Sequence, residues 1–197
     1  MTIQPRPRHK RAGYTLVEVM IAIGILTVSA TAIFGMQEVV IRGNSDARDI
    51  GTATSVARAT LELLRLDALN WTQSTASATT FAPTRFMRDV PTAPGPIPST
   101  WLPFGQATSA IEHAYDMRGD PTAVTANMRF CVESRFAWIF IGTAVRADVR
   151  VWWVRTNGDL SAYMGCPAQT LDATALRTDL HFVQASTVLR YSPGPVP

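Results

Sequence analysis

Hydrophobic and polar positions divide this chain into three textures. From Val19 to Met36 eighteen residues run without a charge, bounded by Glu18 and Glu38. At about 1.5 Å per residue, such a run is just long enough to cross a bilayer as a helix. Beyond Arg42 the apolar positions become periodic. Ala53, Ala57, Leu61, Leu64 and Ala68 recur at spacings of three and four, one stripe of a helix, with Arg58, Glu62 and Arg65 off it. Read as one element, residues 14 to about 70 form a helix of roughly 85 Å, greasy all round in its first half and amphipathic in its second. Gly35, Gly43 and Gly51 each lower helix propensity by roughly 1 kcal/mol against alanine and soften the rod there.

Residues 72–127 are rich in Thr, Ala, Ser and Pro. Seven of the 13 prolines lie there, which argues against long helices and central strands. This stretch reads as an irregular connection, with Phe81, Phe86, Trp101 and Phe104 as candidate docking points. From Met128 the period becomes two: Met128, Phe130 and Val132 alternate with Arg129, Cys131 and Glu133. Phe136 to Ile141 reads as a short central strand. Val149, Val151 and Trp153 alternate with Arg150, Trp152 and Val154. Asn157-Gly158 is a hairpin-turn signal before Leu160 to Met164, and Leu180 to Val183 and Val188 to Tyr191 add one or two further strands. The economical arrangement is an α+β fold: an antiparallel sheet laid on the amphipathic half of the helix, each burying the other's apolar face.

Composition changes this picture in one respect. The sequence pI of 9.2 comes from Arg6, Arg8, Lys10 and Arg11 in an acid-free leader; removing those four from 18 basic residues leaves 14 against 15 acidic ones. Basicity is therefore no sign of nucleic-acid binding. A basic cluster before an apolar run predicts a cytoplasmic N-terminus with the remainder outside. Ala30-Thr31-Ala32 can be scored as a signal-peptidase site, yet the apolar pattern continues past it to Val39, Val40 and Ile41.

Gly13-Tyr14-Thr15-Leu16-Val17-Glu18, after a short basic leader and before an uninterrupted apolar helix, resembles the signature of type IV pilins and type II secretion pseudopilins. The resemblance implies cleavage between Gly13 and Tyr14 by a prepilin peptidase, methylation of the Tyr14 amine, and an assembly role for Glu18, the fifth residue of the mature chain. The usual first mature residue is phenylalanine, so Tyr14 is a mild departure. A carboxylate inside a membrane helix costs a few kcal/mol on insertion scales. A terminal amine at Tyr14, on the same chain or a neighbour, supplies the cation that makes Glu18 tolerable, and such a pair fixes the stagger of one subunit on the next. The plainer reading is a headgroup-level glutamate on a simple anchor, which leaves the glycine five residues earlier unexplained. The pilin architecture also matches the α+β arrangement read from the residues.

Cys131 and Cys166 lie in the part that would be translocated, where oxidant is available, so a disulfide is expected, with two buried free thiols as the alternative. Neither has a cysteine or histidine near it at metal-ligand spacing, and no metal or other cofactor is expected. His9, His113 and His181 are isolated and assemble no nucleophile–base pair, so no enzyme is visible. Arg118-Gly119-Asp120 spells a cell-attachment tripeptide that chance produces often. Asp116 with Asp120 lacks the ligand alternation of a calcium loop. Trp152-Trp153 points to opposite faces of a strand, one ring to the core and one to the surface.

The expected organisation is a cleaved leader (1–13), a transmembrane and filament-core helix (14–41), an amphipathic periplasmic half (42–71), the irregular connection (72–127) and a disulfide-bonded sheet region (128–197). Val56-Ala57-Arg58-Ala59-Thr60-Leu61-Glu62-Leu63-Leu64-Arg65, in a helix without proline, is similar to the V-type minor pilins. The function implied is that of a minor pilin promoting pilus assembly, motility or adhesion from the pilus or its tip. Its partners would be the peptidase, major and minor pilins, an inner-membrane assembly platform and a tip adhesin; nucleic acid is not among them. The alternatives are a minor pseudopilin of type II secretion and, in a different class, a membrane-anchored periplasmic binding domain or enzyme.

Overall fold

The computed structural model describes residues 13–73, 79–81, 83–91, 95, 101–105, 113–155, 166 and 179–191. One helix, α1 (Leu16–Ala68), runs for 53 residues. The chain forms two compact units, Met1–Asp46 and Ala47–Pro197, and α1 contributes to both.

Among the described residues of the first unit no side chain is buried, and the large side chains of α1 from Leu16 to Ile41 stand exposed. The hydroxyl groups of this run are satisfied internally. Thr27 donates its hydroxyl proton to the carbonyls of Ile23 and Gly24, Ser29 to that of Ile25, and Thr31 to that of Val28. A hydroxyl bonded back to its own helix presents little unsatisfied polarity to hydrocarbon, which is why the run tolerates these residues. Its far end is marked by a Glu38–Arg42 ion pair one turn apart.

In the second unit the stripe read from the sequence becomes the packed face of α1. Ala53, Val56, Ala57, Leu61, Leu64 and Ala68 share one core with the sheet. Three strands of eleven residues carry that sheet, preceded by four two-residue strands. Of the short ones, β1 (Thr72–Gln73) pairs with β2 (Thr79–Thr80), while β3 (Leu102–Pro103) and β4 (Ala114–Tyr115) pair with β5. The long ones are β5 (Phe130–Phe140), β6 (Ala144–Val154) and β7 (Leu180–Arg190), antiparallel in the order β3-β5-β6-β7. Phe130, Val132 and Phe136 of β5 and Val145, Ala147, Val149, Val151 and Trp153 of β6 face the helix.

The long strands correct the segmented reading. Phe130–Glu133 and Phe136–Phe140 belong to one strand, because polar Ser134 and Arg135 remain in the ladder opposite Val149 and Asp148. Of the two options for Leu180–Val183 and Val188–Tyr191 the structure has one strand, ending at Arg190 and continuous through Gln184–Thr187, whose alternate side chains face solvent. The Asn157-Gly158 turn and Leu160–Met164 lie outside the described residues.

The sheet's other face is covered too, which alternation alone does not reveal. Cys131 and Cys166 are bonded, with Cα atoms 5.4 Å apart, and join Ala114, Trp152, Val154 and Leu180 in a second core. A bridge closing 35 positions stabilises by roughly 3–4 kcal/mol in the chain-entropy picture. Trp152, expected at the surface if Trp153 is core, is buried beside that disulfide, so both indoles are interior. All four candidate docking aromatics pack. Phe86 and Phe104 stack at 4.7 Å, Phe81 lies against Trp71 and Trp138, and Trp101 covers Arg135 and Arg150.

Candidate processing and assembly site

Gly13 and Tyr14 precede the first turn of α1, and both are exposed. A Cβ built on Gly13 meets nothing within 4 Å, so among the described residues no packing requires glycine there. Thr15 caps the helix. Its Oγ1 accepts the backbone N–H of Glu18 at 3.3 Å, satisfying one of the orphan donors of the first turn. Glu18 is therefore the third helical residue, the position where an acid meets both the free amides and the positive end of the helix dipole. Thr15-Leu16-Val17-Glu18 has the S/T-x-x-E/Q form of a capping box, a signal the sequence reading passed over.

Tyr14, Glu18, Val19, Ala22, Ile23 and Leu26 line one open face of this helix end. Glu18 is the one charged group on it and makes no ion pair among the described residues. The carboxylate lies one turn beyond the Tyr14 backbone nitrogen in sequence and is exposed. Chemically, the face offers an apolar strip with one anion at its start.

Residues 8–34 match the family model described as the prokaryotic N-terminal methylation motif. The chain carries the N-terminal motif of type IV pilin-like proteins. That motif implies processing by a prepilin peptidase and assembly with other pilins at a membrane, and it points to a structural protein. The apolar segment of α1 is long enough to anchor the chain in that membrane. No curated protein and no solved structure matches the chain.

The other sequence signals fall elsewhere. His181 stacks on Trp153 with centroids 5.5 Å apart, and His9 lies outside the described residues. Arg118-Gly119-Asp120 forms a tight turn organised by Asp116, whose Oδ1 accepts the backbone N–H groups of Arg118 at 2.8 Å and Asp120 at 3.0 Å. The amide of Asp120, then that of Arg118, holds the Asp116 carboxyl below the usual carboxylate range. Gly119, at φ 85°, brings the turn so close to α1 that a Cβ would lie 3.2 Å from Thr52 Cγ2. Among the described residues no group of three or more His, Cys, Asp or Glu is placed to hold a metal ion.

Sequence reasoning missed the charged ladder on the outer face of the sheet. Glu133 and Arg150 are buried as a pair, and Asp148, also buried, takes both Arg135 and Arg146 at 3.0 and 2.8 Å. Every member sits on an alternating position that reads as solvent-facing, and only tertiary cover buries Glu133, Asp148 and Arg150.

Proposed function

We propose that this chain is a minor pilin of a type IV pilus, cut between Gly13 and Tyr14, methylated on the Tyr14 amine and inserted into the pilus through Glu18. Its N-terminus lies in the cytoplasm and its sheet unit in the periplasm before assembly; afterwards both belong to the filament or its tip. The observation that carries this reading is the coincidence, on one helix end, of the methylation motif with an exposed Gly13–Tyr14 junction and a solitary carboxylate one turn inside. A glycine that no packing among the described residues requires is what an external reader such as a peptidase would impose. Glu18, stabilised locally by the helix N-terminus, meets the amine of a neighbouring subunit when the apolar helices pack.

The capping role and the assembly role separate experimentally. Glu18→Gln keeps a side chain able to serve the first turn but discards the charge. Glu18→Asp keeps the charge and shortens its reach by about 1.5 Å, one bond length. Recovery in sheared filaments should rank wild type, Asp, then Gln and Ala, with the N-terminal mass read alongside because methylation responds to the same residue. Equal recovery of all four, with equal processing, would make Glu18 a bystander and favour a plain anchored domain.

A further inference from the structure

The β5–β6 hairpin ends in a glycine turn whose approach is unusually apolar. Turn positions favour Gly, Pro, Asn, Asp and Ser, yet here Ile139, Phe140 and Ile141 precede Gly142, which at φ 74° makes the reversal. Phe140 and Ile141 are 68% and 67% exposed. A break in the ladder puts them there. Trp138 pairs with Val145 and Phe140 with Ala144, so Ile139 is one extra residue on β5. Phe136 packs in the helix-facing core and Trp138 against it; unbroken alternation would send Phe140 the same way. The bulge turns it instead onto the outer face, beside Val188 of β7. Bulges re-aim side chains in this manner and recur where a strand must present something.

Ile139, Phe140, Ala144, Val188, Tyr191 and Arg190 line a cleft of about 450 Å³. Among the described residues no acidic side chain lines it, and Arg190 makes no ion pair. This cleft lies at the end of the unit where α1 finishes, since Trp71 meets both Trp138 and Tyr191. The Arg129–Asp49 pair ties the start of β5 to the first residues of α1 within this unit.

From this geometry we infer that the bulged hairpin end is a docking surface for a neighbouring subunit of the assembly, taking an apolar segment that carries a carboxylate. The apolar side chains supply the buried contact, and Arg190, the one charge among the described residues of the cleft, selects an acidic partner. This rests on the reading of the chain as an assembly subunit and adds the site and chemistry of one of its contacts.

The test places a photo-crosslinking amino acid at Phe140 in full-length protein in cells that assemble filaments, with the same probe at exposed Val124 as control. The expected result is a protein adduct from Phe140 alone, whose crosslinked peptide is apolar and contains Asp or Glu. Arg190→Glu should reduce its yield about tenfold and Arg190→Lys should retain most of it, as expected for an anchor at the centre of an interface. An adduct with lipid only, no adduct, or one indifferent to Arg190→Glu would overturn the inference. Phe140→Ser, at an exposed position, should keep the melting temperature while lowering recovery in the assembled fraction; wild-type recovery would also count against it. The N-terminal mass is measured on the same material, so failure of processing, which strikes the pilin reading, is separable from failure of the contact.

Discussion

Glu133 and Arg150 face each other across β5 and β6 with side chains 3% and 6% exposed, the Arg150 Nε donating to Glu133 Oε2 at 3.0 Å. Trp101 lies 4.4 Å from the same guanidinium and also from that of Arg135. The pair thus fastens the connecting segment around Trp101 to the outer face of the sheet, whose inner face carries α1.

Breaking this pair should cost far more than deleting it. Arg150→Met leaves an uncompensated carboxylate in the interior and should lower stability by about 3–5 kcal/mol. The double variant Glu133→Leu/Arg150→Met removes both charges and should recover most of that loss. Chemical denaturation of the detergent-extracted full chain measures both, and additive losses in the double variant would contradict a coupled buried pair.

The pair also sets a pH dependence. Burial, only partly opposed by Arg150, holds the Glu133 carboxyl above its ordinary value of 4.5. Between 4.5 and the folded value the native state binds more protons than the unfolded one, so this contribution to stability falls as pH rises through that window. Glu133→Gln lacks the titration. The stability of wild type relative to that variant should therefore decline on going from pH 4.5 towards neutrality, read from melting temperatures at each pH. A relative stability that grows with pH would mean that Arg150 dominates.

Much of the fold was legible because its signals are local. The stripe at Ala53, Ala57, Leu61, Leu64 and Ala68 is buried throughout, and the alternation around Val149 to Trp153 is β6. The N-terminal motif was legible for the same reason, since glycine, glutamate and the apolar run lie within one short segment. What was hidden depends on residues far apart in sequence. Glu133, Asp148 and Arg150 read as a wet face, and their burial comes from segments such as Trp101–Gly105 that no period announces. Asp67 belongs with them: a charged residue near the helix end, it is 6% exposed because a loop eighteen to twenty positions later wraps it.

That wrapping is specific enough to test. The Asp67 carboxylate accepts three backbone N–H groups, from Arg85 and Phe86 at 2.7 Å and from Met87 at 3.2 Å. These hold Phe86 and Met87 in the core beneath α1. Asp67→Ala strands three amides and should destabilise by about 3 kcal/mol, with Asp67→Asn intermediate because one carbonyl oxygen remains. Hydrogen exchange at residues 85–87 should quicken in step, and unchanged exchange there would show that the carboxylate does not hold the loop.

The most direct measurement of the central claim is the intact mass of the protein extracted from membranes of cells that contain a prepilin peptidase. Assembly through this helix end requires the Tyr14 amine to be free of residues 1–13. The expected species begins at Tyr14 and carries one added methyl, and a bulky replacement of Gly13 should abolish it while leaving the chain in the membrane. A dominant species that still begins at Met1 would contradict the account.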